Sequence, residues 1–400
     1  AELKLESTDG KSAAETGTVQ DGDMVYTLDG KTYRTPIKTL RGDFRQADGV
    51  TGNRLRRWEK SDFKPRPDDI FQERLYAIQW ISQETLDAGR QDTWFAAPTA
   101  ADLEREKRVE QLVTESLSRW QEQGLVPDMA IEPGDKTDEP IRTRGWTHWH
   151  HLFSPRQILV AALVHEQIQR MPAEIQPALC LSLAKMLDWS SKLCRYGTGA
   201  ARESITQTFY NQAYNTNYFY GVRSFVTGQN YLFLTDSASS IVGGLTVNNK
   251  DASTLQHDAE FWITDPPYAD AVSYHEIAEF FIAWLRKSPP HPFDDWVWDS
   301  RRALAIKGSG DDFRRSMVDA YSAMTDHMPD NGMQSVMFTH QDTSVWSDMV
   351  GIFWAAGLQV VAAWYIATET TSELKKGGYV QGTVILMLRK RPAGERAGFK

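Results

Sequence analysis

From Asp258 onward, short apolar runs of strand length alternate with stretches of helical periodicity, and this alternation narrows the fold more than any other feature of the chain. Residues 260–264, 334–339, 359–366 and 383–388 read as strands, and 274–286, 313–328 and 347–356 as helices. Strands joined through helices return to the same end of a sheet, so an α/β domain with a mainly parallel sheet is expected. The last two strands are separated only by a polar, Thr- and Gly-rich loop over 368–378, which predicts an antiparallel hairpin at the sheet's edge.

Upstream the pattern is mixed α+β. Residues 24–28 and 31–34 flank Asp29-Gly30, a pair that tolerates the positive φ of a tight hairpin turn. Helices are expected over 70–81 and 101–123, the second carrying Leu103, Val109, Leu112, Val113, Leu117 and Trp120 at helical spacing and ending at Gly124. The Pro- and Asp-rich run 127–140 reads as a linker, placing an N-terminal hairpin and helical accessory region in 1–135 and a catalytic region in 136–400. Ser154-Pro155 predicts an N-cap with proline at the first helical position. That helix and another over 173–194 would form a layer covering one face of a sheet.

Fourteen Trp, 14 Tyr and 17 Phe in 400 residues require a packed interior and exclude a disordered chain. A net charge of −9 offers DNA no general attraction, so any phosphate contact needs a local basic surface. Arg41, Arg45, Arg54, Arg56, Arg57, Lys60, Lys64 and Arg66 supply one candidate, with a solvated charged face as the plainer reading. Cys180 and Cys194 make neither a disulfide framework nor a zinc ribbon, which fits a reducing, cytoplasmic setting. No run approaches the roughly 18 apolar residues of a membrane span, and nothing resembles a signal peptide. The start at Ala1, with a first ten residues that read as polar loop without helix or strand pattern, is expected of a fragment or processed product.

The chemistry concentrates in Phe261-Trp262-Ile263-Thr264-Asp265-Pro266-Pro267-Tyr268. An apolar strand ends there in an acid, two prolines and an aromatic ring, at the carboxyl edge where open α/β sheets bind ligands. The prolines remove two N–H donors and stiffen the turn, so a carboxylate and neighbouring carbonyls present as fixed acceptors. The strand end is expected to open into a cleft faced by Asp265 and Tyr268. The plainer reading is a rigid strand-to-helix turn.

This run resembles the catalytic motif of the amino-methyltransferases that modify N6 of adenine or N4 of cytosine. The resemblance implies S-adenosylmethionine as cofactor, DNA as partner, a second half of a Rossmann-like methyltransferase sheet, and Asp265, Pro266, Pro267 and Tyr268 as catalytic residues. Asp265 and the Pro266 carbonyl would accept from the exocyclic amine, and Tyr268 would stack on the flipped-out base. Residues 247–255 resemble the family's Asp-Ala segment, making Asp251 and Ala252 the cofactor-binding candidates.

A wider resemblance, to the zinc-ribbon-containing adenine-specific DNA methylases, is carried by residues 69–76, 145–157, the catalytic run and Phe338-Thr339-His340. It favours adenine and implies that the chain matches the C-terminal part of that family. The family's Phe-x-Gly-x-Gly loop and zinc-ribbon cysteines have no counterpart here. A missing N-terminal portion or a partner subunit would supply the loop; the alternative is a catalytically incomplete DNA-binding or complex-forming subunit. The nearest glycine cluster, 196–200, reads as a helix C-cap.

His148, His150 and His151 share a loop without a Cys or acid at ligand spacing, so no metal site is expected. The aromatic run Phe209, Tyr210, Tyr214, Tyr218, Phe219 and Tyr220 reads as packing, with base stacking as the alternative. His340 falls at the carboxyl end of its strand, on the catalytic rim.

Overall fold

The computed structural model describes residues 19–392 apart from 90, 200–201, 233–242, 268–271, 301, 303, 307–309, 341 and 368–381. The chain is mixed α/β and divides into two compact units, Ala1–Ser240 with Glu276–Ser300 and Ile241–His275 with Arg301–Lys400. This division does not coincide with one after residue 135, because helices on both sides of that position share a single core.

In the first unit, β1 (Val19–Gln20), β2 (Asp23–Leu28) and β3 (Lys31–Pro36) form a small antiparallel sheet. Asp29 and Gly30 turn the hairpin at φ 50° and 77°, as their residue types predict. After α1 (Ile37–Arg41) come the short pairs β4 (Phe44–Arg45) with β5 (Thr51–Gly52) and β6 (Ile78–Ile81) with β7 (Thr93–Ala96). The helix expected over 70–81 is therefore not formed. Residues 69–76 run as non-helical chain, letting Asp69 reach Arg56 and Phe71 meet Tyr218. Ile78, Trp80 and Ile81 then serve as strand residues, a tertiary override of a short apolar period.

Helix α2 (Ala100–Glu122) begins with a capping box between Thr99 and Asp102 and ends before Gly124, which has φ 75°. The expected linker is ordered structure. Ile131 and Thr137 are buried, and the run leads into α3 (Asp138–Arg144). Helix α4 (Pro155–Gln169) has the predicted Ser154 cap, closed reciprocally by Gln157. Helix α5 (Gln176–Asp188) stops six residues short of the expected end, where the chain turns and Lys192 N donates to Leu152 O (2.7 Å).

These helices do not form a layer over a sheet. They enclose their own core with the aromatic rings of Trp149, Phe153, Phe280 and Trp284. The last two lie on α8 (Glu279–Leu285), directly after α7 (Tyr274–Ile277). Residues 196–199 of the glycine cluster are likewise not a helix cap: β8 (Tyr196–Gly199) pairs antiparallel with β9 (Arg202–Ile205), and residue 200 lies outside the described residues. A short helix, α6 (Phe225–Gly228), follows.

The second unit holds the four-stranded sheet, made of β10 (Phe261–Thr264), β11 (Met333–Phe338), β12 (Leu358–Ile366) and β13 (Thr383–Lys390) in the order β10-β11-β13-β12. The β10–β11 pair is parallel, and β13 runs antiparallel to both β11 and β12. Three strands thus share one direction. The closing hairpin forms as expected, with β12 at one edge of the sheet and β13 inside it; β10 is the other edge. Helices α9 (Asp311–Asp326) and α10 (Thr343–Ala355) cover one face, burying Phe313, Met317, Tyr321, Ile352 and Phe353 against Val336, Phe338, Leu386 and Leu388. Among the described residues, no helix is long and apolar enough to cross a membrane.

Candidate functional site

Asp265 directly follows Thr264, the last residue of β10, and is exposed, with half-buried Pro266 and Pro267 after it. Tyr268 lies outside the described residues. The strand ends here because Pro266 and Pro267 have no N–H for a ladder, and Pro266 also biases Asp265 towards extended backbone. Along β10, Trp262 and Thr264 are half-buried on the face towards the helices, whereas Phe261 and Ile263 are 48% and 65% exposed.

Beneath the strand end, Thr264 Oγ1 lies 3.1 Å from the hydroxyl of Tyr321, which is 2% exposed on α9. Burial raises the Tyr321 pKa; the Thr264 hydrogen bond opposes this and the negative charge of Asp265 adds to it. Sequence reasoning missed this pair. Its signal was a hydroxyl-bearing Tyr321 within the apolar stripe Phe313, Met317, Ala320, Met324.

Because β10 and β11 are parallel, His340 leaves the same end of the sheet as Asp265. Its Nδ1 accepts from Asp342 N (3.0 Å) and its carbonyl accepts from Trp346 Nε1 (2.9 Å), so the residue is tied into the turn that opens α10. Asp251 and Ala252 sit at a 3-10 turn packed beside α9. Asp251 Oδ1 already accepts from Ser253 N (2.9 Å) and Ser253 Oγ (2.8 Å). An open depression of about 460 Å³ beside this turn is lined by Ser253, Leu255, Asp319, Ser322, Asp326 and His327. Neither Asp251, Ala252 nor Asp265 contributes to its wall.

The other segments that carry the resemblance belong to the first unit, where they build a buried ionic network. Arg56 binds Asp69 through Nε and a terminal nitrogen (both 2.7 Å) and reaches Asp62 at 2.5 Å. Lys192, with no exposed surface, lies 2.7 Å from Glu73 and 5.0 and 5.1 Å from the rings of Trp58 and Trp146. Arg144 stacks on Tyr218 at 4.0 Å, and burial lowers its pKa.

His150 and His151 are fully buried and bond the carbonyls of Asp62 and Glu59 (3.0 Å each). Burial, then neighbouring His148, pushes His150 down to about 3. Thr147 N and His148 N both donate to His151 Nδ1, which fixes that ring as a neutral imidazole with its proton on Nε2. Among the described residues no cluster has the makeup of a metal site.

The basic run is committed elsewhere. Arg41 pairs with Asp43, Arg66 with Asp62 and Glu59, Lys60 with Asp128 and Lys64 with Glu110, so much of the candidate phosphate surface is already neutralised. In the aromatic run, Phe209 and Tyr214 belong to the core, whereas Tyr210 is 54% exposed beneath Arg195.

No family model, curated protein or solved structure matches this chain.

Proposed function

We propose that the chain carries the target-base half of an S-adenosylmethionine-dependent DNA methyltransferase acting on the exocyclic amine of adenine, N6. The observation that carries this reading is the emergence of Asp265-Pro266-Pro267 at the carboxyl end of β10. The parallel β10–β11 pair, closed by the β12–β13 hairpin, supports the second half of a Rossmann-like methyltransferase sheet. An adenine amine is a poor nucleophile because its lone pair is delocalised into the ring. Hydrogen bonds from its N–H groups to the Asp265 carboxylate and the Pro266 carbonyl favour the more tetrahedral, reactive nitrogen. Tyr268 stacks on the extruded base.

The sequence lacks the family's glycine-rich loop, and the depression beside the Asp251 turn is lined by neither Asp251, Ala252 nor Asp265. Asp251 and Ala252 are the residues that would meet its adenine. A further portion of polypeptide or a partner subunit supplies the glycine-rich loop. Among the described residues β10 pairs with β11 alone, so its other edge is where further strands would add. The incomplete seat also favours a second reading, a catalytically incomplete DNA-binding or complex-forming subunit.

The test is labelled-methyl transfer to adenine-containing duplex DNA by the active chain or complex, with Asp265→Ala beside it. Losing one positioned acceptor is expected to lower the rate about a hundredfold or more while DNA affinity holds. Retained methylation in Asp265→Ala sinks the mechanism. An equal loss of DNA binding makes the run a structural turn.

A further inference from the structure

A buried phenol is favourable only when its hydroxyl has a partner. Tyr321 is 2% exposed, and its ring meets Phe353 of α10 nearly at right angles, with centroids 5.1 Å apart and planes at 88°. Phenylalanine at 321 would fill the same volume with no polar group to satisfy, so the hydroxyl is explained by what it touches. That contact is Thr264 Oγ1, at 3.1 Å, on the residue immediately before Asp265.

We infer that Tyr321 is a positioning residue that acts through Thr264 to set the direction in which the Asp265 carboxylate leaves β10. This deepens the methyltransferase reading and rests on its assignment of Asp265. Three constraints converge on the strand end. The backbone of Thr264 lies opposite Val336, its side chain is held by Tyr321, and Pro266 restricts Asp265 from the other side.

Releasing the middle constraint frees the last residue of a four-residue strand, where fraying is easiest. The acceptor it would misdirect must be held to within a fraction of an ångström to act on an amine. Tyr321 suits this task because burial, with the charge of Asp265 in the same direction, keeps its phenol neutral and able to hydrogen-bond.

The experiment uses the full chain labelled with ¹³C at the aspartate side-chain carboxyl, with the Asp265 resonance assigned through Asp265→Asn. Tyr321→Phe and Thr264→Val are expected to move that resonance to a similar extent, and their combination to move it no further, since both remove one hydrogen bond. Thr264→Ser, which keeps the hydroxyl, is expected to leave it in place. In the active chain or complex, Tyr321→Phe is expected to lower kcat about tenfold while KM for DNA holds. An unmoved Asp265 resonance in folded Tyr321→Phe overturns the inference; if that variant does not fold, an unmoved resonance in Thr264→Val does so. A moved resonance in a protein whose Asp265→Ala form still methylates DNA would leave the pin intact and reject the methyltransferase mechanism instead.

Discussion

The Glu276 carboxylate accepts hydrogen bonds from both the backbone N–H and the hydroxyl of Thr137, at 2.9 and 3.0 Å, across 139 residues of chain. It also accepts from Asp135 N (3.0 Å) and Lys136 N (2.8 Å), so one buried anion gathers three successive backbone donors at the entry to α3. This contact orders the Pro- and Asp-rich run that reads locally as a linker.

Glu276→Ala is therefore expected to destabilise the first unit by about 3 kcal/mol or more, because it strands buried donors. Glu276→Gln, which keeps one acceptor oxygen, is expected to lose less. Amide hydrogen exchange at 135–137 checks this: exchange as slow in Glu276→Ala as in the parent would show that the loop is ordered by something else.

The stability of the first unit is expected to fall in mild acid. His150 is held down to about 3, and His151 well below the usual value, with burial the largest cause for each. Both are neutral when folded, whereas an unfolded histidine binds a proton below about pH 6.5. The stabilisation is full above that pH and declines as pH falls towards the folded values. The loss amounts to about 2 kcal/mol for His150 between pH 7 and pH 5, and His151 adds to it in the same direction. Urea midpoints followed by Trp fluorescence over that range test the point, and a flat profile contradicts it.

Lys192 is fully buried against Trp58 and Trp146, and Glu73 is its ion-pair partner. Glu73→Gln leaves a desolvated ammonium without its counter-charge, with an expected cost of roughly 3 kcal/mol. Adding Lys192→Met removes the charge at similar volume, and the double variant is expected to be more stable than Glu73→Gln alone. Equilibrium unfolding of the three proteins decides it: a double variant less stable than Glu73→Gln would mean that the ammonium has another essential role.

Calorimetric titration of the isolated chain with S-adenosylmethionine is expected to show weak binding, because Asp251 is engaged in its own turn and the sequence has no Phe-x-Gly-x-Gly loop. Tight, saturable binding would mean that other residues of this chain build the seat.

The sequence by itself determined whatever depends on near neighbours. Asp29-Gly30 specifies a turn through its tolerance of positive φ, Thr99 and Ser154 open helices through local hydrogen bonds, and Pro266 ends β10 because it lacks a donor. The alternation after Asp258 was legible because strand and helix periods span many residues. Tertiary structure alone decided that 78–81 pairs as a strand, that β13 inserts between β11 and β12, and that Arg56 and Lys64 face carboxylates. It also brought Tyr321 under Thr264 across 57 residues. Ladder order and buried polar partners are set by contacts between distant segments, where desolvation makes one pairing favourable and others costly, and a linear period carries no record of that choice.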